Sequence, residues 1–284
     1  MFAPGDIAQF DLEGLTLQQL RYFNAVAEGE TFADAAALIG ISQSALSQGI
    51  ARLEQVTGTR LLERDGRRRR ITDAGELVAE YARRVLGESE TLATDLAQRR
   101  GGRGGRLRVG MIDAAALYLF GDAIAGFRDD SPDVALSITV DGSAELEQRL
   151  ADFRDDLVVV VGPPGRGVAT HLLTEPMHLY GHAESGDEFA LYPAGSRTRT
   201  AIDRGLAAAG ATPRVSAESG NPAVLRELCR LTGSRTVLPE AVAATSDRLT
   251  RLTDHVAERE IYAVAREQSA ATPLVTDFIA RLIS

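Results

Sequence analysis

Residues 38–72 read LIGISQSALSQGIARLEQVTGTRLLERDGRRRRIT, and this stretch predicts two helices joined by a tight turn. Thr31 can cap the first helix and Ser42 the second, because each hydroxyl can accept a backbone N–H that has no partner at the helix start. In that helix Leu46, Ile50 and Leu53 are spaced i, i+4 and i+7, so they form one apolar stripe. The stretch therefore predicts a helix-turn-helix whose second helix buries one face.

The opposite face of this second helix is polar and carries little charge. Its side chains suit the base edges of a DNA major groove, although they would equally suit simple exposure to water. The next segment favours the DNA interpretation, because five arginines surround a turn at Gly66 and predict a two-stranded ribbon with a basic tip. The predicted DNA contacts are Ser42, Gln43, Ser44, Ser47, Gln48, Arg52, Arg64, Arg67, Arg68, Arg69 and Arg70.

The run from Leu17 to Glu76 resembles the winged helix-turn-helix of the LysR-type transcriptional regulators. The family usually has a long polar residue at the position of Gly49 and often Arg at that of Gln48, so we expect one usual DNA contact to be missing and the wing to carry more of the affinity. The residues that match the family's spacing are Leu20, Phe23, Ala35, Ala36, Ser42, Gln43, Ala45, Leu46, Ser47, Leu53, Glu54, Gly58, Leu61, Leu62, Arg64, Thr72, Ala74 and Gly75.

The charge of the chain is distributed unevenly. The whole chain of 284 residues has a net charge of −9, whereas residues 40–72 hold seven arginines against three acids, a net of +4. Positive charge is therefore local, as a DNA-binding patch requires, and it is not spread over the surface. The resemblance implies that Gln43, Ser44, Ser47 and Gln48 read bases while Arg52 and the wing arginines contact phosphate or a narrow minor groove.

Cysteine content and hydropathy indicate the compartment. Cys229 is the single cysteine, so no disulfide can form within one chain, which suits a reducing cytosol. We expect Cys229 to be a buried structural residue. No stretch reaches the roughly 18 apolar residues of a membrane span, and the N-terminus lacks the basic region of a secretory signal. The sequence thus predicts a cytoplasmic protein with no membrane partner.

Residues 73–98 predict one long helix with a narrow apolar seam, which includes Leu77, Tyr81, Leu92 and Leu96. A helix of this kind needs a partner surface. It can pack on its own domain, but the resemblance implies pairing with the same helix of a second subunit, and we favour a homodimer or homotetramer built in this way. The following RRGGRGG run at 99–105 predicts a flexible linker.

After the linker, strands and helices alternate, which predicts parallel βαβ units arranged as two α/β lobes, with crossovers near Gly162 and Tyr262. Strands are expected at 107–111, 134–140, 157–161, 177–181, 189–192, 213–218, 235–238 and 260–265, and helices at 114–128, 143–153, 197–209, 221–231, 239–246 and 273–283.

This half resembles the LysR-type effector domain, for example at Leu107–Gly110, Pro132–Val134 and Leu238–Pro239. The resemblance implies an α+β multidomain protein with a winged helix-turn-helix, a long linker helix and a two-lobed α/β effector-binding domain like the periplasmic binding proteins. The expected divisions are an N-terminal extension at 1–14, a DNA-binding domain at 15–72, a dimerisation helix and hinge at 73–105, and an effector domain at 106–284, with lobe I at 106–161 and 262–284 and lobe II at 162–261.

A ligand is expected where strand ends meet helix starts between the lobes. Helix capping explains Ser143 and Asn221 well, and for any single candidate we favour capping over ligand contact, although as a set they would line the cleft that the resemblance implies. Many family members have Ser or Thr where Asp113 and Ala114 stand, and an Asp there would repel a carboxylate, so we expect a neutral or cationic effector, or none. The candidate effector-binding residues are Asp113, Ala114, Ser143, Ser196, Ser219, Asn221, Thr232 and Ser234.

The sequence offers little for catalysis or metal binding. His171, His178 and His182 lie on a segment that reads as strand and loop, without the three or four converging ligands that zinc needs. Asp113, Ser143 and His171 do not form a recognisable triad, because no G-x-S-x-G turn is present. We therefore expect no enzymatic activity, no cofactor and no metal.

The sequence analysis favours a DNA-binding regulator whose partners are double-stranded promoter DNA, a second copy of the chain, a small-molecule effector and RNA polymerase. Two alternatives stay open. The chain can be an architectural DNA-binding protein with a non-functional ligand domain, which would bind DNA with little sequence preference. It can also be a small-molecule-binding α/β protein whose helix-turn-helix is secondary.

Overall fold

The computed structural model describes residues 12–29, 31–65, 68–99, 104–182, 186–244, 249–253 and 255–284, without the side chains of residues 64, 65, 68, 69, 95 and 97–99. The chain divides into two compact units, Met1–Ala93 and Thr94–Ser284. Over the described ranges no helix combines the length and the apolar character that crossing a membrane requires.

The N-terminal unit is the predicted helix-turn-helix with its wing. Capping at the two predicted positions is confirmed, because the Thr31 hydroxyl accepts the N–H of Asp34 and the Ser42 hydroxyl accepts that of Ala45. The stripe of Leu46, Ile50 and Leu53 is fully buried. The elements are α1 Leu17–Glu28, α2 Phe32–Leu38, α3 Gln43–Thr57, β1 Leu62–Asp65, β2 Arg68–Ile71 and α4 Asp73–Arg99.

Two side chains and one glycine fix how α3, the wing and α4 meet. The Glu54 carboxylate accepts the backbone N–H groups of Leu61 at 2.8 Å and Leu62 at 3.2 Å, which fixes the start of β1 against the end of α3. Thr72 closes the ribbon, because its hydroxyl donates to the carbonyl of Arg60 at 2.8 Å. Gly75 must be glycine, since a Cβ there would lie 2.3 Å from the Leu61 carbonyl oxygen. These contacts explain the family-like spacing through this region.

Helix α4 is continuous over 27 residues, as the sequence predicts. Ala79 and Ala82 on this helix are fully buried. Leu77, Leu92 and Leu96 are by contrast exposed by 69%, 59% and 51%. The helix therefore has one face that packs internally and a second set of large apolar side chains that face water.

The C-terminal unit is built on a mixed sheet. Strand β3 lies between β4 and β5 and is parallel to both, which confirms the predicted βαβ arrangement of the first half. The elements are β3 Gly105–Met111, α5 Gly121–Asp130, β4 Val134–Val140, α6 Ser143–Ala151, β5 Leu157–Val161, β6 Val168–Gly181, β7 Glu188–Leu191, α7 Arg197–Ala208, β8 Arg214–Glu218, α8 Pro222–Thr232, β9 Thr236–Pro239, α9 Glu240–Ala243, β10 Thr250–Arg251, β11 Ala257–Ala265 and α10 Pro273–Ile283.

Two long antiparallel strands, β6 and β11, connect the two hydrophobic clusters of this unit. Leu173 of β6 packs on the first cluster, which includes β3 and β5, while Met177 belongs to the second. Strand β6 begins at Val168, nine residues before the predicted strand. The sequence did not predict a strand over residues 168–176, because Pro176 has no N–H to donate to a neighbouring strand. The structure tolerates Pro176 within β6 because β9 pairs with β6 only from Met177 onward.

Two other predictions differ from the structure. The expected helix at 114–128 is instead a π-helical turn at Ala115–Leu119 followed by α5 from Gly121. The expected helix at 239–246 is the short α9, and residues 245–248 lie outside the described ranges. The remaining predicted strands and helices of this unit agree with the structure to within about three residues at each end.

Candidate nucleic-acid interface and ligand cavity

The outward face of α3 presents amide and hydroxyl groups. Gln43, Ser44 and Gln48 are exposed and Ser47 is half-buried, while the apolar stripe on the other side packs on α1 and α2. Residues spaced by four lie on the same helix face, so Ser44 and Gln48 stand one turn apart. This surface can both donate and accept hydrogen bonds, which is the chemistry that base edges in a major groove require.

Ser42 differs from the other predicted contacts on this helix. Its hydroxyl caps the helix by accepting the N–H of Ala45 at 3.2 Å and lies 3.0 Å from the hydroxyl of Ser44. The geometry explains Ser42 by capping alone, so a DNA contact is not needed to account for it.

The arginines of the predicted interface are only partly within the described residues. Arg52 on α3 and Arg70 on β2 have exposed side chains. Strands β1 and β2 pair antiparallel, with Glu63 opposite Arg70. The side chains of Arg64, Arg68 and Arg69, and the whole of Arg67, lie outside the described residues.

Gly49 of α3 lies beneath a side chain of α1. A Cβ at this position would lie 2.3 Å from Cδ2 of Tyr22, whose ring packs from α1 over the glycine. The Tyr22 hydroxyl is in turn held by the Gln18 amide at 2.8 Å. The glycine is therefore explained by helix packing, while the expected absence of a DNA contact at this position stays a prediction.

The C-terminal unit contains a cavity of about 440 Å³ between the ends of several strands and helices. Four of the predicted effector-binding residues line it: Asp113, Ala114, Ser143 and Ser196. Ser143 and Ser196 also have structural roles, since the Ser143 hydroxyl accepts the N–H of Val161 and that of Ser196 caps α7.

The other four predicted residues do not line the cavity. Asn221 caps α8 and donates from its side-chain amide to the lining residue Asp113 at 3.2 Å, while the Ser219 hydroxyl accepts the N–H of Asn221. Thr232 and Ser234 lie at the opposite end of α8, where their hydroxyls are 2.9 Å apart. A helix of 11 residues separates them from the cavity, so the prediction for these two residues is corrected.

The sequence analysis missed several polar residues of the cavity wall. Tyr192, Arg197 and Arg259 all line the cavity, as do Asp141 and Glu145. Nε of Arg259 donates to the Glu175 carboxylate at 2.7 Å. This pair joins β11 to β6, which the sequence could have revealed only if the pairing of these two strands had been known.

The electrostatics of the cavity are unusual at Asp113 and Tyr192. Burial, and then the nearby carboxylate of Asp141, raise the pKa of Asp113, while the hydrogen bond from Asn221 opposes the shift. Burial likewise raises the pKa of Tyr192, a change that the nearby guanidinium of Arg259 opposes. Negative charge is therefore poorly stabilised on this side of the cavity.

Two of the three histidines that invited a metal interpretation have other contacts. Nδ1 of His178 lies 2.8 Å from the guanidinium of Arg251, and the ring of His171 packs edge-on against Tyr262. Over the part of the chain that the structure describes, no three His, Cys, Asp or Glu side chains converge as a metal site would need.

Comparison with known proteins gives matches for both units. The family model for the bacterial regulatory helix-turn-helix protein of the lysR family matches residues 17–76, and that for the LysR substrate binding domain matches residues 100–284. An uncharacterized HTH-type transcriptional regulator, YfeR of Shigella flexneri, is 30% identical over 226 residues, which cover 74% of this chain and 73% of YfeR. Alignments with several other curated relatives cover only about half of those relatives' length.

Two solved structures share the fold. A full-length OxyR variant from Pseudomonas aeruginosa superimposes with a TM-score of 0.73 at 22% identity, covering 94% of each chain. CbnR in complex with its target DNA superimposes with a TM-score of 0.68 at 22% identity, covering 94% of this chain and 99% of CbnR.

Proposed function

Because the chain belongs to the LysR family of bacterial helix-turn-helix regulators, we propose that it binds promoter DNA in the cytoplasm and regulates transcription. The observation that carries the proposal is the outward face of α3. Gln43, Ser44 and Gln48 are exposed on a helix whose other face is fully packed, so they are free to enter a major groove. We propose residues 15–72 as the DNA-binding domain, 73–105 as the linker helix and hinge, and 106–284 as the effector domain.

Contacts with the DNA backbone are assigned to arginine. Arg52 lies one turn beyond Gln48 on α3 and is exposed, and Arg70 is exposed on the wing. Both can exchange water and counterions for phosphate oxygens. Arg64 and Arg67–Arg69 are proposed to act in the same way on the evidence of the sequence. These contacts supply affinity and position α3 on the DNA, whereas the amides of α3 determine which DNA sequence is preferred.

We assign the oligomer interface to α4. Leu77, Tyr81, Leu92 and Leu96 are large, apolar and exposed on a helix of 27 residues, which is the surface that a second copy of the helix would cover. A dimer formed in this way would present two recognition helices to two half-sites separated by about 34 Å or a multiple of it. A regulator bound at a promoter acts through RNA polymerase, which we include as a partner.

An effector is proposed to bind in the cavity of the C-terminal unit. Its volume of about 440 Å³ is within the range of small-molecule sites. The cavity lies where Asp113 after β3, Ser143 at the start of α6 and Ser196 at the cap of α7 meet, so residues from both hydrophobic clusters contribute to it. A ligand bound there can change how the two clusters are oriented about β6 and β11.

Selection of bound fragments from the source genome by the purified full-length protein tests the DNA proposal. The wild type is run at physiological salt beside a variant in which Arg67, Arg68, Arg69 and Arg70 are replaced by alanine. The matched control loses four exposed arginines of the C-terminal unit: Arg128, Arg166, Arg204 and Arg214.

We expect the wild type and the control to recover the same few pseudo-palindromic sites, and the wing variant to lose them. Weak, salt-sensitive recovery of all fragments by the wild type would instead indicate the architectural alternative. Failure of the wild type to bind any fragment would contradict DNA binding as the function.

A further inference from the structure

A polar groove of about 1010 Å³ lies between α1 and α3. Helix α1 supplies Gln18, Gln19 and Tyr22 to one wall, and helix α3 supplies Gln48 and Arg52 to the other. Gln48 and Arg52 are both exposed, stand one turn apart and are already proposed as DNA contacts. The groove therefore begins at the edge of the surface that is proposed to read bases.

The backbone of bound DNA is expected beside α3 at this place. A major groove is about 12 Å wide and a helix with its side chains is about 10–12 Å across, so a helix that reads bases fills the groove. The two sugar–phosphate strands then run along the two flanks of the helix. One flank of α3 carries Ala45, Gly49 and Arg52, and α1 forms the opposite wall there. A DNA strand on this flank therefore passes over the groove.

The charge of the groove suits a phosphate group. Arg52 is the one charged residue among the described residues that line it. The first turn of α1, which forms part of the wall, carries no acidic residue. In a chain whose net charge is −9, a polar groove with one cation and no carboxylate on its described walls favours an anionic partner.

Tyr22 provides a hydrogen-bond donor in this groove. Its half-buried ring lies over Gly49, because a Cβ on that residue would be 2.3 Å from Cδ2 of the ring. Its hydroxyl oxygen accepts the side-chain amide of Gln18 at 2.8 Å, so this bond leaves the phenol proton unused. Within the described ranges no acceptor meets that proton. A hydroxyl in this state can donate to an anionic oxygen.

We propose that α1 is a second DNA-contacting helix. The groove receives one sugar–phosphate strand, the Tyr22 hydroxyl donates to a phosphate oxygen, Gln18 orients that hydroxyl, and Arg52 supplies positive charge from the other wall. This inference rests on the proposed function, because it adds contacts to the same DNA surface. A phosphate contact carries no base sequence, so these side chains strengthen binding to all DNA alike and fix the position of α3.

Tyr22→Phe tests the proposed donor, because it removes the hydroxyl and keeps the ring over Gly49. Kd for a selected genomic site and Kd for scrambled DNA should both rise about three- to tenfold, as expected for the loss of one hydrogen bond. The slope of log K against log salt should stay unchanged, because no charge is removed. The control Tyr262→Phe removes a hydroxyl from the C-terminal unit and should leave both Kd values unchanged.

Gln18→Ala tests the orienting residue. It should weaken binding to both DNAs in the wild-type background and have a smaller effect in the Tyr22→Phe background, where the hydroxyl is already absent. The matched control is Gln148→Ala, which removes an exposed glutamine of α6 whose amide likewise donates four residues onward, to Asp152. Unchanged affinity in both Tyr22→Phe and Gln18→Ala would overturn the proposal.

Neutral methylphosphonates, introduced at single phosphates of the selected site, locate the contact on the DNA. At one phosphate or a symmetric pair, the substitution should weaken binding of the wild type more than binding of Tyr22→Phe, because the variant has already lost the donor. Equal costs in the two proteins at every phosphate would overturn the proposal. Sedimentation of the free proteins should be identical, and a changed oligomeric state in Tyr22→Phe would instead assign the groove to a second copy of the chain.

Genomic fragment selection on the same preparations tells the two possible failures apart. If the wild type recovers specific sites and the Tyr22 and Gln18 variants bind them equally tightly, only this inference is refuted. If the wild type recovers no fragments, the proposed function itself is refuted.

Discussion

In the C-terminal unit arginines hold carboxylates in place, whereas the described arginines of the DNA surface face water. Arg108 and Arg266 both bind Asp156, and Arg149 binds Asp155, whose side chain is 1% exposed. Arg52 and Arg70 are instead exposed on α3 and β2. The same residue type therefore serves folding in one unit and is available for a partner in the other.

The net charge of the chain does not show which of its arginines are available to a partner. The chain has a net charge of −9, yet its C-terminal arginines are largely committed to internal ion pairs. Replacing a committed arginine or its carboxylate partner should change stability and leave DNA affinity unaffected. Replacing an exposed arginine of the N-terminal unit should do the reverse.

The largest effect is expected at Asp156. Its carboxylate binds Arg108 at 2.8 Å and Arg266 at 3.0 Å, so Asp156→Ala removes the charge that both guanidinium groups share in a mostly buried place. Breaking a buried pair from one side costs about 3–5 kcal/mol of unfolding free energy. Urea denaturation should show this loss, and Asp129→Ala, at an exposed position on α5, should show almost none. A loss below 1 kcal/mol would mean that this cluster does not stabilise the unit.

The same cluster predicts an acid response. Burial alone would raise the pKa of Asp156, but the hydrogen bonds from Arg108 and Arg266 outweigh it and leave the pKa lower than usual. A lowered pKa stabilises the fold above the ordinary value of about 4, and this contribution is lost as the pH falls toward the folded pKa. Unfolding free energy should therefore fall more steeply with acid in the wild type than in Asp156→Asn, and parallel curves would contradict this.

The next effect concerns sequence selectivity. Gln43→Ala and Gln48→Ala each remove an exposed amide from α3 without touching the buried stripe. A well-placed amide–base pair is worth about 1–3 kcal/mol of discrimination. In these variants the affinity for a selected site should approach the affinity for scrambled DNA, while Tm stays constant. Gln55→Ala, exposed further along the same helix, should keep full discrimination.

A smaller effect is expected where α1 packs on α3. Gly49→Ala should gain about 1 kcal/mol of helix propensity but lose more through the clash with the Tyr22 ring. In a Tyr22→Ala background the clash is absent, so the same substitution should become stabilising. Thermal unfolding of the four proteins in this cycle measures the change of sign. If Gly49→Ala has the same effect in both backgrounds, the packing explanation is wrong.

The smallest effect is expected at Cys229. Its side chain is fully buried, its thiol donates to the Ser234 carbonyl at 3.0 Å, and burial raises its pKa to about 11. The thiol is therefore protonated at neutral pH and a poor nucleophile. Reaction with a disulfide reagent at pH 8 should be slow in the folded protein and fast after unfolding in urea. Fast reaction in the folded protein would contradict this burial.

Local patterns in the sequence predicted what short-range physics determines. The stripe of Leu46, Ile50 and Leu53, the caps at Thr31 and Ser42, and the order of β3, β4 and β5 follow from spacing and turn chemistry. The first half of β6 was missed, because its exposed and buried residues do not alternate and its pairing with β11 joins segments about 90 residues apart.

The cavity shows the same limit. Asp113, Ser143 and Ser196 could be predicted because each follows or begins an element that the sequence indicates. Arg259 could not, because it reaches the cavity only through the pairing of β11 with β6. The packing reason for Gly49 could not be predicted for a similar reason, since its neighbour Tyr22 is on another helix and the contact depends on how α1 crosses α3.

The salt dependence of DNA affinity tests the contrast between the units most directly. The dissociation constant for one selected site is measured against salt concentration for the wild type, for Arg52→Ala/Arg70→Ala, and for the control Arg128→Ala/Arg204→Ala. Each lost phosphate contact should lower the slope of log K against log salt by about 0.9, so the first variant should lose nearly two units and the control none. An unchanged slope in the first variant, or equal losses in both, would contradict DNA binding through the exposed arginines of the N-terminal unit.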